Sequence, residues 1–171
     1  MTTYVKIAQT ALTSPAANID FTSIPQTYTD LVVMISQRAV DNVLDNAIRF
    51  NNDSSSVYSY TQMQSGASSG SAGGARVSNS STARAGGQEP STYTANVFNS
   101  SFVYIPNYTS SVFKQFIADG VDENNSATNY IWLHAGLWRN TAAINRITLF
   151  QEPGGNMATG TEATLYGINN S

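Results

Sequence analysis

Residues 130–138 read Tyr130-Ile131-Trp132-Leu133-His134-Ala135-Gly136-Leu137-Trp138. Ile131, Leu133, Ala135 and Leu137 fall on one side of an extended chain, and Tyr130, Trp132, His134 and Trp138 on the other. A repeat of two residues is the repeat of a β-strand, whose successive side chains point to opposite faces.

The same period recurs on both sides of this stretch. Upstream, Ala17, Ile19 and Phe21 alternate with Asn18 and Asp20 until Ser23-Ile24-Pro25 interrupts them. Leu31, Val33 and Ile35 follow, with Val32 and Met34 making the second face apolar too, as in a central or covered strand. Ile48 and Phe50 flank Arg49 before the turn Asn51-Asn52-Asp53, and Val57 to Gln64 carries Tyr58 and Tyr60 on one face. Phe102 to Ile105 runs into Pro106-Asn107, and Phe113 to Val121 comes next. Downstream lie Ile147 and Leu149, then Ala163, Leu165 and Gly167. Asp41 to Ile48 has Val43, Leu44 and Ala47 at helical spacing but is too short to compete. The pattern predicts an all-β protein, with residues 1–171 forming a single β-sandwich or jelly roll of about nine to ten strands.

One stretch breaks the alternation. From Ser65 to Pro90 the chain is almost entirely Gly, Ser, Ala, Asn and Thr, with Arg76 and Arg84 as its only cations. That composition reads as a long flexible loop, and loops of such length are often functional. An extended arm at 65–90 that reaches a neighbouring subunit is the favoured reading. The alternative is a hairpin with a long tip folded against its own sheet.

Composition removes several function classes. The chain has 171 residues and no cysteine, so disulfides, zinc–thiolate sites and thiol nucleophiles are excluded. Only 11% of residues are charged, against about 25% in an ordinary soluble domain. Ser, Thr, Asn and Gln fill the polar positions, and they suit turns and exposed strand faces better than helices. A net charge of −3 with no basic run argues against a nucleic-acid partner. No apolar stretch approaches a membrane span, and Met1 to Lys6 lacks the pattern of a signal peptide. The expectation is a protein made and kept in a cytoplasm, or one that leaves it by a route other than secretion, such as cell lysis.

No catalytic constellation is visible. His134 is the single histidine and sits on the face of Trp132 and Trp138, where a structural or interface role outweighs a general base. Asp119, Asp122 and Glu123 cluster in Asp119-Gly120-Val121-Asp122-Glu123-Asn124-Asn125 without the acidic spacing of a calcium loop, so turn chemistry explains them better. The remaining carboxylates, Glu89 among them, belong to no glycosidase signature, and Gly154-Gly155 is a turn rather than a phosphate cradle. The reading is a non-enzymatic protein with no cofactor and no metal site. Tyr and Trp are favoured at interfaces and on sugar-stacking platforms. Tyr58, Tyr60, Trp132 and Trp138 alternate against a separate apolar face, so with His134, Arg76 and Arg84 they are the candidate assembly or glycan contacts.

Five stretches together resemble a family of short structural proteins of tailed bacteriophages. They are Ser23-Ile24-Pro25-Gln26-Thr27-Tyr28-Thr29-Asp30-Leu31; Arg49-Phe50-Asn51-Asn52-Asp53 leading to Tyr58-Ser59-Tyr60; Tyr104-Ile105-Pro106-Asn107-Tyr108; Ala135-Gly136-Leu137-Trp138; and Leu165-Tyr166-Gly167-Ile168. The resemblance implies a β-sandwich located in the virion and assembled in the host cytoplasm, and it transfers no catalytic or ligand-binding residue. Members of this kind look like capsid decoration proteins or parts of tail appendages; the first reading is a capsid decoration (cement) protein bridging major capsid subunits, a role that a chain opening directly on a strand suits. The alternative is a tail-fibre or tail-hub component binding host surface glycan. Partners are then the major capsid protein or other virion subunits and further copies of the chain itself, with a trimer expected from the threefold axes of capsids and fibres.

Overall fold

The computed structural model describes residues 3–43, 45–66, 71–87 and 89–170. Among them there is no helix, and twelve strands form two antiparallel sheets. The strands are β1 (Thr3–Ala11), β2 (Asn18–Phe21), β3 (Asp30–Gln37), β4 (Asp45–Phe50), β5 (Tyr58–Gly66) and β6 (Ser71–Ser80). They continue with β7 (Ala83–Gly87), β8 (Asn99–Ile105), β9 (Lys114–Asp122), β10 (Tyr130–Trp138), β11 (Ile147–Glu152) and β12 (Glu162–Asn169). Eight of them pair in the order β1-β12-β3-β8-β9-β10-β5-β6, and four in the order β2-β11-β4-β7.

The chain crosses repeatedly between the two sheets, and the inward positions of both contribute to one apolar core. Ile19, Phe21, Ile48, Phe50, Ile147 and Leu149 enter it from the smaller sheet. Leu31, Val33, Ile35, Val103, Ile105, Phe116 and Leu165 enter from the larger one. These are the alternating residues of the sequence pattern, since a pleated strand buries every second side chain. Of the segment 41–48, residues 45–48 belong to a strand, because Asp45 to Phe50 pairs with β11 along its whole length.

The Gly/Ser tract differs from its expectation. The expected arm covers residues 65–90, of which 67–70 and 88 lie outside the described residues; the described ones are not a structureless arm, since β5 extends to Gly66 and β6 pairs with it antiparallel from Ser71 to Ser80. β7 then pairs with β4 in the other sheet. The hairpin alternative describes this segment, and β6 and β7 take the strands beyond the nine or ten expected. The small residues answer to packing rather than to disorder. Ala83, Ala85, Gly86 and Gly87 are buried, and a Cβ placed on Gly87 would lie 2.3 Å from the Trp132 ring. β7 runs so close under β9 and β10 that larger side chains do not fit.

Candidate docking face

β10 decides which of its two apolar sides meets water. Trp132, His134 and Trp138 are buried, as are Tyr58 and Tyr60 on neighbouring β5. Trp138 stacks on Tyr58 with ring centroids 6.4 Å apart, and Phe50 packs against both. The polar ends of these rings are satisfied locally: Trp138 Nε1–H donates to Asp53 Oδ2 at 2.9 Å, and the Phe50 N–H donates to the Tyr58 hydroxyl at 2.9 Å. Burial, aided by the Arg84 charge, pushes His134 down to about 4, so it is a neutral core residue at pH 7.

Five of the seven candidate contacts are thus core residues and are not offered to a partner or a sugar. Arg84 is occupied too, its guanidinium lying 3.0 Å from Glu152 and 3.1 Å from Asp45. Arg76 alone is exposed, on β6. The aromatic rings lie inside because they bury the most apolar area per residue. The sequence did hold a cue. Tyr58 and Tyr60 alternate with Ser59 and Thr61, and register aligns Ser59 with Leu137 and Thr61 with Ala135, putting the aliphatic side of β10 on the polar side of β5.

That aliphatic side continues across the larger sheet. Register places Thr164, Met34, Phe102, Asp119, Leu133 and Met63 in one row over β12, β3, β8, β9, β10 and β5. One step along the strands, Ser100, Val121, Ile131 and Ser65 form a second row; one step the other way, Tyr104, Ile117, Ala135, Thr61 and Arg76 form a third. Met34, Ile117, Val121, Ile131, Leu133 and Met63 are 42–64% exposed. Eight strands about 4.8 Å apart and about eight residues long make a face of about 900 Å². Its middle dips into a depression of about 530 Å³ bounded by Met34, Phe102, Val121, Ile131 and Tyr166. Exposed aliphatic side chains grouped on one face make it the candidate interaction surface of the described residues.

Two carboxylates border the depression, Asp119 on β9 and Glu162 on β12, and Asp119 is the one set among aliphatic side chains. Leu133 and Phe102 flank it across the strands, and Ile117 and Val121 along β9. Desolvation by these neighbours raises its pKa, opposed by the backbone N–H of Phe102.

A second polar arrangement lies between the sheets. Glu89, just after β7, and Asp122, at the end of β9, are both buried, with the Arg38 guanidinium 3.9 Å from Glu89. Burial first, then the hydrogen bond and charge of Glu89, raise Asp122 to about 8, so the pair holds a proton at pH 7. Sequence reasoning missed this pair because its members are 33 residues apart and join only where β7 passes beneath β9. The loop that follows is built by turn chemistry: Asn124 Nδ2–H donates to Asp122 Oδ1 at 3.0 Å, Asn124 Oδ1 accepts from the Ser126 N–H, and Asn125 takes a positive φ. Glu89 is wholly buried, and Asp122, almost wholly buried, borders a surface depression together with Asn129, Tyr130 and Ile131.

Compared with known proteins, the chain matches no protein-family model and no curated protein.

Proposed function

We propose that the two sheets form the β-sandwich of a non-enzymatic structural subunit of a tailed-phage particle, held in place through the outer face of its larger sheet. A capsid decoration protein that bridges major capsid subunits is the role this reading favours. The observation that carries it is the exposed apolar face centred on Ile131, Leu133 and Met63. A free soluble domain gains nothing from exposing such a surface, whereas a subunit covered in its assembly buries it and is stabilised. Many copies on one shell then turn modest individual contacts into durable attachment. The placement in a phage particle rests on the sequence resemblance. The glycan-binding alternative loses the aromatic platform it relied on, because Tyr58, Tyr60, Trp132 and Trp138 fill the core.

Copy number tests the role. Quantitative mass spectrometry of purified particles should find this chain in amounts comparable to the major capsid protein. A ratio typical of tail components, or absence from the particle, overturns the decoration reading.

A further inference from the structure

A polar strap of chain, residues 91–98, joins Pro90 to β8, and of its side chains only Tyr93, Val97 and Phe98 are half-buried. One cation does most of the work of holding it. The Arg38 guanidinium, just after β3, donates to the carbonyls of Ser91, Tyr93, Thr94 and Val97 at 2.8–3.2 Å. The strap is also tied by the Ser91 N–H to the Asp41 carbonyl, by the Thr92 hydroxyl to Asn42 Oδ1, and by the Thr94 hydroxyl to the Asn124 carbonyl.

The same guanidinium faces the buried pair Glu89 and Asp122. Both hydrogens of each terminal Arg38 nitrogen are spent on the strap, so Glu89, 3.9 Å away, receives charge but no hydrogen bond. Asp122 Oδ1 accepts from Asn124, while Asp122 Oδ2 and both Glu89 oxygens meet no donor among the described residues. Two carboxylates in contact away from water do not both stay ionised beside one guanidinium, and a shared proton is the donor that completes the pair. The other groups facing it bring no second cation. They are the phenols of Tyr93 in the strap and Tyr130 on β10, hydrogen-bonded to each other, and the neighbouring carboxylate of Glu123.

We propose that the strap 91–98 is a lid gated by this shared proton. With the proton in place, the strap lies closed on Arg38 and Asn124. When the proton leaves to water, repulsion between Glu89 and Asp122 is relieved by opening, because Glu89 lies two residues before Ser91 and is drawn out with it. A strap that buries so little apolar surface opens without unfolding the sandwich. Opening parts Thr94 from Asn124 and widens the cleft of about 490 Å³ that Thr92, Tyr93 and Thr94 form with Ser126, Ala127 and Thr128. The gate does not depend on the particle to which the chain belongs.

Asp122 is raised from 3.8 to about 8 in the closed form and regains its ordinary value once solvated. Closure is therefore complete below pH 3.8 and is lost as pH rises through 8, so opening should increase about tenfold per pH unit between 6 and 8. His134, the single histidine, is lowered to about 4 and is silent in that range. Hydrogen–deuterium exchange on the full chain at pH 6, 7 and 8, corrected for the intrinsic pH dependence of amide exchange, reads this directly. The amides of 91–98 should lose protection by that factor while those of β11 remain unexchanged. Asp122→Asn and Glu89→Gln each keep a donor between the two side chains, so both should hold the strap equally protected at pH 6 and 8. Thermal melts at pH 6 check the fold of each variant, and the wild-type profile decides alone where a variant does not fold. Corrected protection that is unchanged from pH 6 to 8, exchange of the strap in step with β11, or a folded amide variant that still opens would each overturn the inference.

Discussion

The outer surfaces of the two sheets are finished in different ways. On the smaller sheet, charged groups are matched within the chain. Arg146 donates to Asp20 at 2.8 Å, Arg84 lies between Asp45 and Glu152, and Arg49 sits 4.8 Å over the Phe150 ring. On the larger sheet, Ile131, Leu133, Ile117, Val121 and Met63 face outward around a single carboxylate, and no ion pair joins the outward residues of β9, β10 and β5 among those described. One surface is complete in water. The other leaves aliphatic side chains in water, and the proposed docking role rests on this contrast.

The largest effect should come from breaking the finished surface. Arg84→Leu leaves Asp45 and Glu152 facing each other with no cation between them, and the Arg84 side chain is only 14% exposed. Asp45 and Glu152 are 42% and 36% exposed, so water screens part of their repulsion, and urea unfolding should show a loss of about 2 kcal/mol.

Alkali separates the interior from both surfaces. Asp122 is raised from 3.8 to about 8, so its contribution is complete below pH 3.8 and is lost as pH rises through 8. His134 is lowered from 6.5 to about 4, so its contribution is present above pH 6.5 and is lost as pH falls through 4. The two slopes oppose each other between pH 4 and 6.5, and Asp122 acts alone above that range. Stability should fall by about 2 kcal/mol from pH 6.5 to 8. In Asp122→Asn this decline should vanish in thermal melts across that range, while the acid-side loss from His134 remains.

Arg146→Ala probes the exposed end of the finished surface. With Arg146 and Asp20 side chains 32% and 27% exposed, the expected cost is about 1 kcal/mol, shrinking as salt is added.

The smallest effect on stability should come from the larger sheet. Ile131→Thr, Leu133→Thr and Met63→Ser should each change the unfolding free energy by no more than about 0.5 kcal/mol, while together lowering the binding of a hydrophobic dye to the native protein. If Leu133→Thr costs as much as Arg84→Leu, that face supports the fold, and the contrast between the two surfaces collapses.

Much of the fold could be read along the chain, and far less of the docking face. Period-two runs such as 31–35 and 130–138 reveal strands because the pleat is a local property, set by adjacent residues. The run 65–90 concealed β6 and β7, since Gly, Ala and Ser signal both a flexible linker and a strand packed too tightly for side chains. Which one applies depends on Trp132, which lies against Gly87 from 45 residues away in sequence. Arg76 was legible as an available cation, whereas Asp119 looked like part of an acidic turn and proves to lie among aliphatic side chains on β9.

By itself, then, the sequence determined an all-β chain without thiols, with few charges and with strands at regular intervals. Those properties follow from side-chain chemistry and from neighbours one or two residues away. Tertiary structure alone decided which side of β10 faces the core. Both sides are apolar, so hydrophobicity did not separate them. The choice was made by the volume between the sheets, which accepts Trp132, Trp138, Tyr58 and Phe116 together and leaves Ile131 and Leu133 on the outside.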